Sequence, residues 1–332
     1  MSLYRPETLL VKDFDRAITL LGPATTGLTP TQTLSVWKRW HEQGAIFAGW
    51  VRQLGEPEST AIKSIGISLL LKNDALSELI ALGPASLTEG LYQQAAAAVN
   101  QSATSPWFMT QKEIRQAHLE QNLNLFVLHF WTPMPWFPDS PDAAANQEVF
   151  LQSKSQFAAT HQGFGVKRVL QEVPVQMQGS LEAGGFTLTA RKVLEPEIPS
   201  APKLVLMSVD RQQALSGAGS AMSFLFFSPA SKLGLAPAMQ RMLTLALAQR
   251  TDEDIAALLD CSRDYVRKLW SQIYQRMENQ GIFAITSTAP VAPVTAASQE
   301  QLPRGRERRR FALEFFANNL QELRPGMPTA SE

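Results

Sequence analysis

One cysteine, Cys261, stands in 332 residues. No internal disulfide can staple such a chain, and a reducing compartment is the expectation. Net charge is missing too: 30 Lys and Arg offset 30 Asp and Glu. No whole-molecule field draws the chain to nucleic acid or to a membrane, so any such attraction has to be local. No apolar run approaches the roughly 20 residues that cross a bilayer. The opening residues carry acids early and lack the layout of a signal peptide. No membrane partner and a cytoplasmic location are expected. The four histidines, His41, His118, His129 and His161, are scattered without metal-ligand spacing. They read as structural or exposed side chains, and neither a metal nor a cofactor is assigned. No nucleophile, base and orienting group can be nominated together, so no catalytic residue is named.

What is present is an ordinary globular composition, 45% hydrophobic and 18% charged, long enough for two domains and an appendage. Residues 1–60 read as helical, with Leu34, Trp37 and Trp40 near helical spacing and Trp37, Trp40 and Trp50 expected to bury against a neighbouring helix. Ile62–Leu71 and the apolar Leu123–Trp131 read as strands, the second central in its sheet. Val166–Val173, Thr187–Val193, Lys203–Asp210 and Met222–Ser228 read as further strands. Helices are expected over 88–99, 144–160 and 175–183. A proline-rich stretch, Thr132–Pro141, separates the second strand from the helix after it. Helices and strands lack a strict alternating rhythm, so residues 1–230 form an α+β domain with a mixed or antiparallel sheet. Residues 231–285 are all helical, 286–303 read as a flexible linker rich in Pro, Ala, Ser and Thr, and 304–332 carry a basic amphipathic helix.

The segment Leu235–Met277 is the most specific. It reads as helix, turn, helix, turn, helix. Thr251 is an N-cap followed by Asp252, Glu253 and Asp254, which suit a helix N-terminus, and Ile255, Leu258 and Leu259 are the expected buried positions. Asp260-Cys261-Ser262 forms the turn, and Ser262 caps the last helix. There Val266, Trp270, Ile273 and Met277 make one apolar stripe. The opposite side carries Arg267, Lys268, Ser271, Gln272 and Gln275. Between Arg263 and Met277 four cations face one acid, a local footprint in a neutral protein. A polar face backed by an apolar stripe is the form of a helix that enters the DNA major groove. The alternative is a plain three-helix unit with a solvated face.

This segment resembles the LuxR-type (NarL/FixJ-like) helix-turn-helix of bacterial transcription regulators. Leu235-Ala-Pro stands at the family's opening Leu-Thr-Pro. Thr251–Ala256 stands at Ser-x-x-Glu-Ile-Ala, Leu259–Ser262 at Leu-Gly-Ile-Ser, and Tyr265-Val266-Arg267 at Thr-Val-Lys. The sequence departs from the pattern at Met239, Gln249 and Leu269, and nothing after Met277 matches the family's fourth helix. The resemblance implies a DNA-binding transcriptional regulator, not an enzyme, with double-stranded DNA as partner. It implies base contacts from Arg267, Lys268 and Ser271, and phosphate contacts from Tyr265 and Arg276, with Ser262 and Arg263 at the same helix start. Arg306, Arg308, Arg309 and Arg310 form an accessory cationic group suited to phosphates. The N-terminal region would then sense a small-molecule effector or a partner, in a homodimer.

Two readings from other classes stand beside it. Glu182-Ala-Gly-Gly-Phe186 before a strand resembles the late helix-loop-strand of acetyltransferase-like folds, which makes a small-molecule enzyme fused to a helical module the alternative. Ser216–Ser220, the other glycine cluster, reads as a turn before a strand rather than a cofactor loop. A protein-interaction adaptor is the third reading, because residues 232–285 carry seven cations against six acids.

Overall fold

The computed structural model describes residues 3–22, 26–42, 45–57, 60–81, 87–100, 107–132, 143–192, 204–216, 222–227, 231–247, 250–283 and 306–324. The chain divides into two compact units, Met1–Ser228 and Pro229–Glu332. The first is mixed α and β around one seven-stranded sheet. The linker expected over 286–303 lies outside the described residues.

The sheet runs β1 (Tyr4–Thr8), β2 (Ile46–Gln53), β3 (Ile62–Leu71), β4 (Leu123–Trp131), β5 (Val166–Pro174), β6 (Thr187–Lys192) and β7 (Leu204–Asp210), in the order β1-β2-β3-β4-β5-β7-β6. β1 and β2 correct the helical reading of residues 1–60. β1 is short and polar, and its Pro6 suits an edge strand that needs no second ladder. β2 carries Gly49 in its middle, opposite Gly66 of β3, and glycine weakens the strand signal in sequence. Trp50 accordingly sits on a strand, and its indole N–H donates to Glu7 at 3.3 Å.

One face of the sheet is covered by α1 (Phe14–Leu21), α2 (Pro30–Glu42) and α4 (Leu87–Asn100). Phe14, Trp37, Trp40, Leu91 and Tyr92 bury there against Ile65, Ile67, Leu69, Phe126, Leu170 and Leu206. α4 belongs to an insertion between β3 and β4, whose other helices are α3 (Asn73–Ala81) and α5 (Gln111–Leu119). α5 is started by a capping box between Thr110 and Glu113.

α6 (Ala143–His161) packs on β1, β2 and β3. Its contact is part apolar, where Val149 buries with Tyr4 and Val51, and part polar. Ser153 and Ser64 hydroxyls are 2.6 Å apart, and Gln156 lies so near Gly49 that a Cβ there would meet its Nε2 at 2.0 Å. His161 Nδ1–H donates to the Phe157 carbonyl at 2.8 Å, so Nε2 accepts the Ser68 hydroxyl at 2.6 Å. This contact explains why α6 shows little apolar periodicity in sequence.

α7 (Gln178–Ala183) precedes β6, and α8 (Arg211–Ser216) follows β7. The strand expected over Met222–Ser228 is instead a single helical turn, α9 (Ser223–Phe226), with Leu225 and Phe226 fully buried. A short apolar run does not by itself distinguish the two. The Ser216–Ser220 cluster therefore precedes a helix and not a strand; Gly217, Gly219 and their neighbours lie outside the described residues.

The second unit holds α10 (Pro237–Leu247), α11 (Asp252–Leu258), α12 (Arg263–Asn279) and α13 (Arg306–Asn318). Met242, Leu243, Ile255, Val266, Ile273 and Met277 bury together with Ala312 and Phe316 of α13. Thr251 and Asp254 close a capping box on α11, and Ser262 accepts the Tyr265 amide at 3.1 Å to start α12. Asp260 takes a left-handed φ of 48° in the turn between them, a conformation Asp tolerates better than most residues. Leu258, expected inside, is 46% exposed, and the helix buries Ile255 and Ala256 instead. No helix among the described residues is long and apolar enough to cross a membrane.

Candidate active site at the parting of two parallel strands

β4 and β5 are the one parallel pair in the sheet among the described residues; every other neighbouring pair is antiparallel. Their ladder runs from Leu123↔Val166 to Val127↔Gln171 and ends there. Beyond it, β4 continues to Trp131 paired with β3, and β5 continues to Pro174 paired with β7. The two strands part at their carboxyl ends. The cause is local: Ile67 pairs with His129 while the next residue, Ser68, pairs with Val127, so Leu128 is an extra residue on β4. A bulge bends its strand, raises the twist and terminates pairing, and this one falls where the β4–β5 ladder stops. The carboxyl ends of parallel strands are where open sheets commonly hold ligands.

Three side chains form a buried polar line beside the parting. Trp37 of α2, Tyr92 of α4 and His129 of β4 are 0%, 0% and 6% exposed. Trp37 Nε1–H donates to Tyr92 Oη at 2.8 Å, and Tyr92 Oη lies 2.8 Å from His129 Nε2. An indole only donates, so Tyr92 accepts there and spends its own proton on His129. His129 Nε2 is therefore an acceptor, and the ring is neutral with its hydrogen on Nδ1. Burial acts in the same sense, pushing the imidazole down to about 3 and the Tyr92 phenol up. Both groups stay uncharged at neutral pH. On the other strand, Glu172 stands one residue beyond the last β4 partner. Its carboxylate oxygens accept the amides of Leu87 and Thr88, at 2.8 and 3.2 Å, at the start of α4. α4 thus holds both strands: β5 by its first turn, β4 by Tyr92.

From the sequence, His129 stood among structural histidines, and Tyr92 and Glu172 were passed over. The usable signal was His129 itself, one polar ring within the run Leu123–Trp131. A buried strand position of that kind demands a partner. No group of three His, Cys, Asp or Glu side chains is arranged to hold a metal among the described residues.

The residues expected to read DNA lie on and around α12. Arg263, Tyr265, Arg267, Lys268, Ser271 and Arg276 are all exposed, as is Ser262 at the cap. Three of the four cations are already engaged within the chain. Arg263 pairs with Glu253 at 2.7 Å and Arg267 with Asp264 at 3.0 Å. Arg276 donates to the carbonyls of Leu233 and Gly234, both at 2.9 Å, and Ser271 donates to the Arg267 carbonyl at 3.1 Å. Of the accessory group, Arg308 pairs with Glu278 and lies over Tyr274 and Phe283. Arg309 binds Asp252 through both nitrogens, at 3.0 and 2.8 Å, and lies over Trp270. Those two arginines fasten α13 to the unit. Arg310 is exposed, and the side chain of Arg306 lies outside the described residues.

No family model and no curated protein matches the chain. Solved structures do. A spermidine N-acetyltransferase from Vibrio cholerae shares 8% identity, covering 64% of this chain and 96% of that one, with a TM-score of 0.36. A ribosomal-protein alanine N-acetyltransferase from Escherichia coli shares 10%, covering 65% and 96%, with a TM-score of 0.32. AAC(6′)-Ib, in a complex with paromomycin and acetyl-CoA, shares 11%, covering 66% and 100%, with a TM-score of 0.34. At these values the likeness assigns this chain no substrate and no residue role.

The reading of the chain as a LuxR-type transcriptional regulator is corrected by these matches, which are acetyltransferases and not regulators. The expectation that the chain is no enzyme is corrected with it, as are the partners assigned to it: double-stranded DNA, an effector and a regulatory homodimer. The physical reason is visible in both units. The large unit is built round a sheet that opens at one point, and the cationic footprint of α12 is mostly spent on the chain's own acceptors.

Proposed function

We propose that Met1–Ser228 is an acyltransferase-like catalytic unit that takes an acyl thioester donor into the parting of β4 and β5 and passes the acyl group to an amine. The observation that carries this reading is the coincidence of the Leu128 bulge with the end of the β4–β5 ladder. Strand backbone that has lost its neighbour can extend its ladder onto an amide-bearing chain, as in peptide recognition by strand addition. The donor's thioester arm is such a chain. The helix-loop-strand that first suggested an acetyltransferase-like fold is α7, Gly184-Gly185 and β6.

The residues present at the parting fit the arm of the donor: beyond Val127 the β4 edge has lost β5 and can pair with an amide-bearing chain. The donor, when bound, supplies an acyl carbon activated by sulfur. Bond making is between that carbon and the amine nitrogen; the carbon–sulfur bond breaks, and the departing thiolate takes up the proton the nitrogen loses. The chain contributes position and dryness. Leu128–Trp131 give the arm a fixed edge; the Trp37–Tyr92–His129 line on the β4 side is neutral, and the Glu172 carboxylate on the β5 side is taken up by the Leu87 and Thr88 amides. His129, held neutral, is not the amine's base.

The LuxR-type likeness of Leu235–Met277 is retained as a proposal about helix order alone, with no nucleic-acid role attached. The test is turnover with the full chain. Acetyl-CoA and S-acetylpantetheine, each with a panel of primary amines, are followed by thiol release, using Cys261→Ser to silence the protein's own thiol. Amine-dependent release with both donors supports the reading. Donor binding absent by calorimetry, with release no faster than background hydrolysis, overturns it.

A further inference from the structure

Resting on that reading, we infer that α4 is a strut that sets the width of the opening, and that Tyr92 and Glu172 are positioning residues for the donor. The strut has two anchors. Glu172 of β5 holds the amides of Leu87 and Thr88, and His129 of β4 holds Tyr92 of the same helix. Four to five residues separate the anchors along α4, about 6–7.5 Å at 1.5 Å per residue. One helix thus grips both strands just past the point where their ladder ends.

Each anchor is built for this use. Glu172 meets the positive end of the helix with a carboxylate, which satisfies two first-turn amides that have no partner inside the helix. Tyr92 is locked from behind by Trp37, so its hydroxyl has one free direction, and that direction is β4. Trp40 packs against Tyr92 at a ring separation of 5.2 Å, which ties the strut to α2. The helix reaches the sheet only because the insertion between β3 and β4 carries it there. A connection short enough for a plain hairpin would leave both strands without it.

A strut of this kind acts on donor binding and not on the chemical step. The variants are Tyr92→Phe, which removes the hydroxyl and keeps the ring, and Glu172→Gln, which keeps one acceptor oxygen for two amides. Glu172→Ala removes both acceptors, and Ser64→Ala, on the α6 face, is the control for general loosening. The probe is S-acetylpantetheine, with Kd from calorimetry and kcat and KM from thiol release. Far-UV circular dichroism confirms that each variant is folded at the assay temperature.

The expected result is a Kd and KM raised at least fivefold in Tyr92→Phe and Glu172→Ala, with a smaller rise in Glu172→Gln. In each, kcat at saturation stays within threefold of the parent, and Ser64→Ala keeps the parent Kd. Parent-like Kd in Tyr92→Phe and Glu172→Gln, in a chain whose parent binds donor, overturns the strut and leaves the opening as the site. Loss of kcat with unchanged KM also overturns it. A parent chain that binds no donor overturns the reading of the opening, and the strut with it. If Glu172→Ala does not fold, Tyr92→Phe and Glu172→Gln decide alone.

Discussion

Replacing Tyr92 by Phe tests the buried polar line most sharply, because the change keeps the ring and removes one oxygen. That oxygen serves two partners, Trp37 Nε1–H at 2.8 Å and His129 Nε2 at 2.8 Å. Tyr92 and Trp37 are 0% exposed and His129 6%, so water does not readily replace it. Leaving a buried polar group without a partner costs about 1–3 kcal/mol, and two are orphaned here. The apolar area of the ring is retained, so no transfer loss offsets or adds to this. The expected destabilisation is about 2–6 kcal/mol, large against the 5–15 kcal/mol typical of a domain. Urea unfolding monitored by tryptophan fluorescence and circular dichroism reads it. Adding Trp37→Phe closes a double-mutant cycle, and partners in one network couple by about 0.5–3 kcal/mol. A Tyr92→Phe loss below about 0.5 kcal/mol, or strictly additive single changes, would refute the account of the line.

The same fold sets further outcomes. His129 is held near 3 in the folded chain against an ordinary 6.5, so the unfolded state takes up a proton that the native state refuses as pH falls through that window. Stability is fully present above about pH 6.5 and is lost toward pH 3 by about 1.4 kcal/mol per unit from this group; half-buried His41, also lowered by desolvation, acts in the same direction. His129→Leu should flatten the acid limb of a stability–pH curve, and a limb of unchanged slope would speak against burial as the cause. In the second unit, Thr251→Ala removes the acceptor of the Asp254 amide and should cost about 1 kcal/mol in unfolding. Glu322, 1% exposed, accepts from the Ser231 hydroxyl and the amides of Lys232 and Leu233 at 2.7, 2.7 and 3.0 Å. Glu322→Ala orphans those donors and should cost about 3 kcal/mol or more, while Glu322→Gln should cost less; equal losses would show that the carboxylate is not what holds the segment.

The sequence showed most clearly what depends on near neighbours. Ile62–Leu71, Leu123–Trp131 and Leu204–Asp210 carry enough apolar residues to read as strands, and the caps Thr251 and Ser262 mark their helices within four residues. β1 escaped because Tyr4–Thr8 has no apolar alternation, and β2 because Gly49, which lets Gln156 approach, breaks its pattern. The opening itself was invisible. Whether β4 pairs in parallel with β5, and where that ladder stops, depends on partners some 40 residues away in sequence, and a bulge at Leu128 leaves no local mark. Trp37, Tyr92 and His129 come together across separations of 55 and 37 residues, so only His129, polar within an apolar run, hinted at them. The charge pattern of α12 misled for a related reason. Arg263, Arg267 and Arg276 count as free cations in a sequence, and the fold gives each an acceptor.

The most direct test of the opening is amide hydrogen exchange of the full chain with and without S-acetylpantetheine. Slowed exchange confined to Leu128–Trp131 of β4 and to Glu172–Val173 of β5 is the predicted result. Saturated donor binding that leaves those amides unchanged, with protection arising elsewhere, would contradict the placement of the donor between the parted strands.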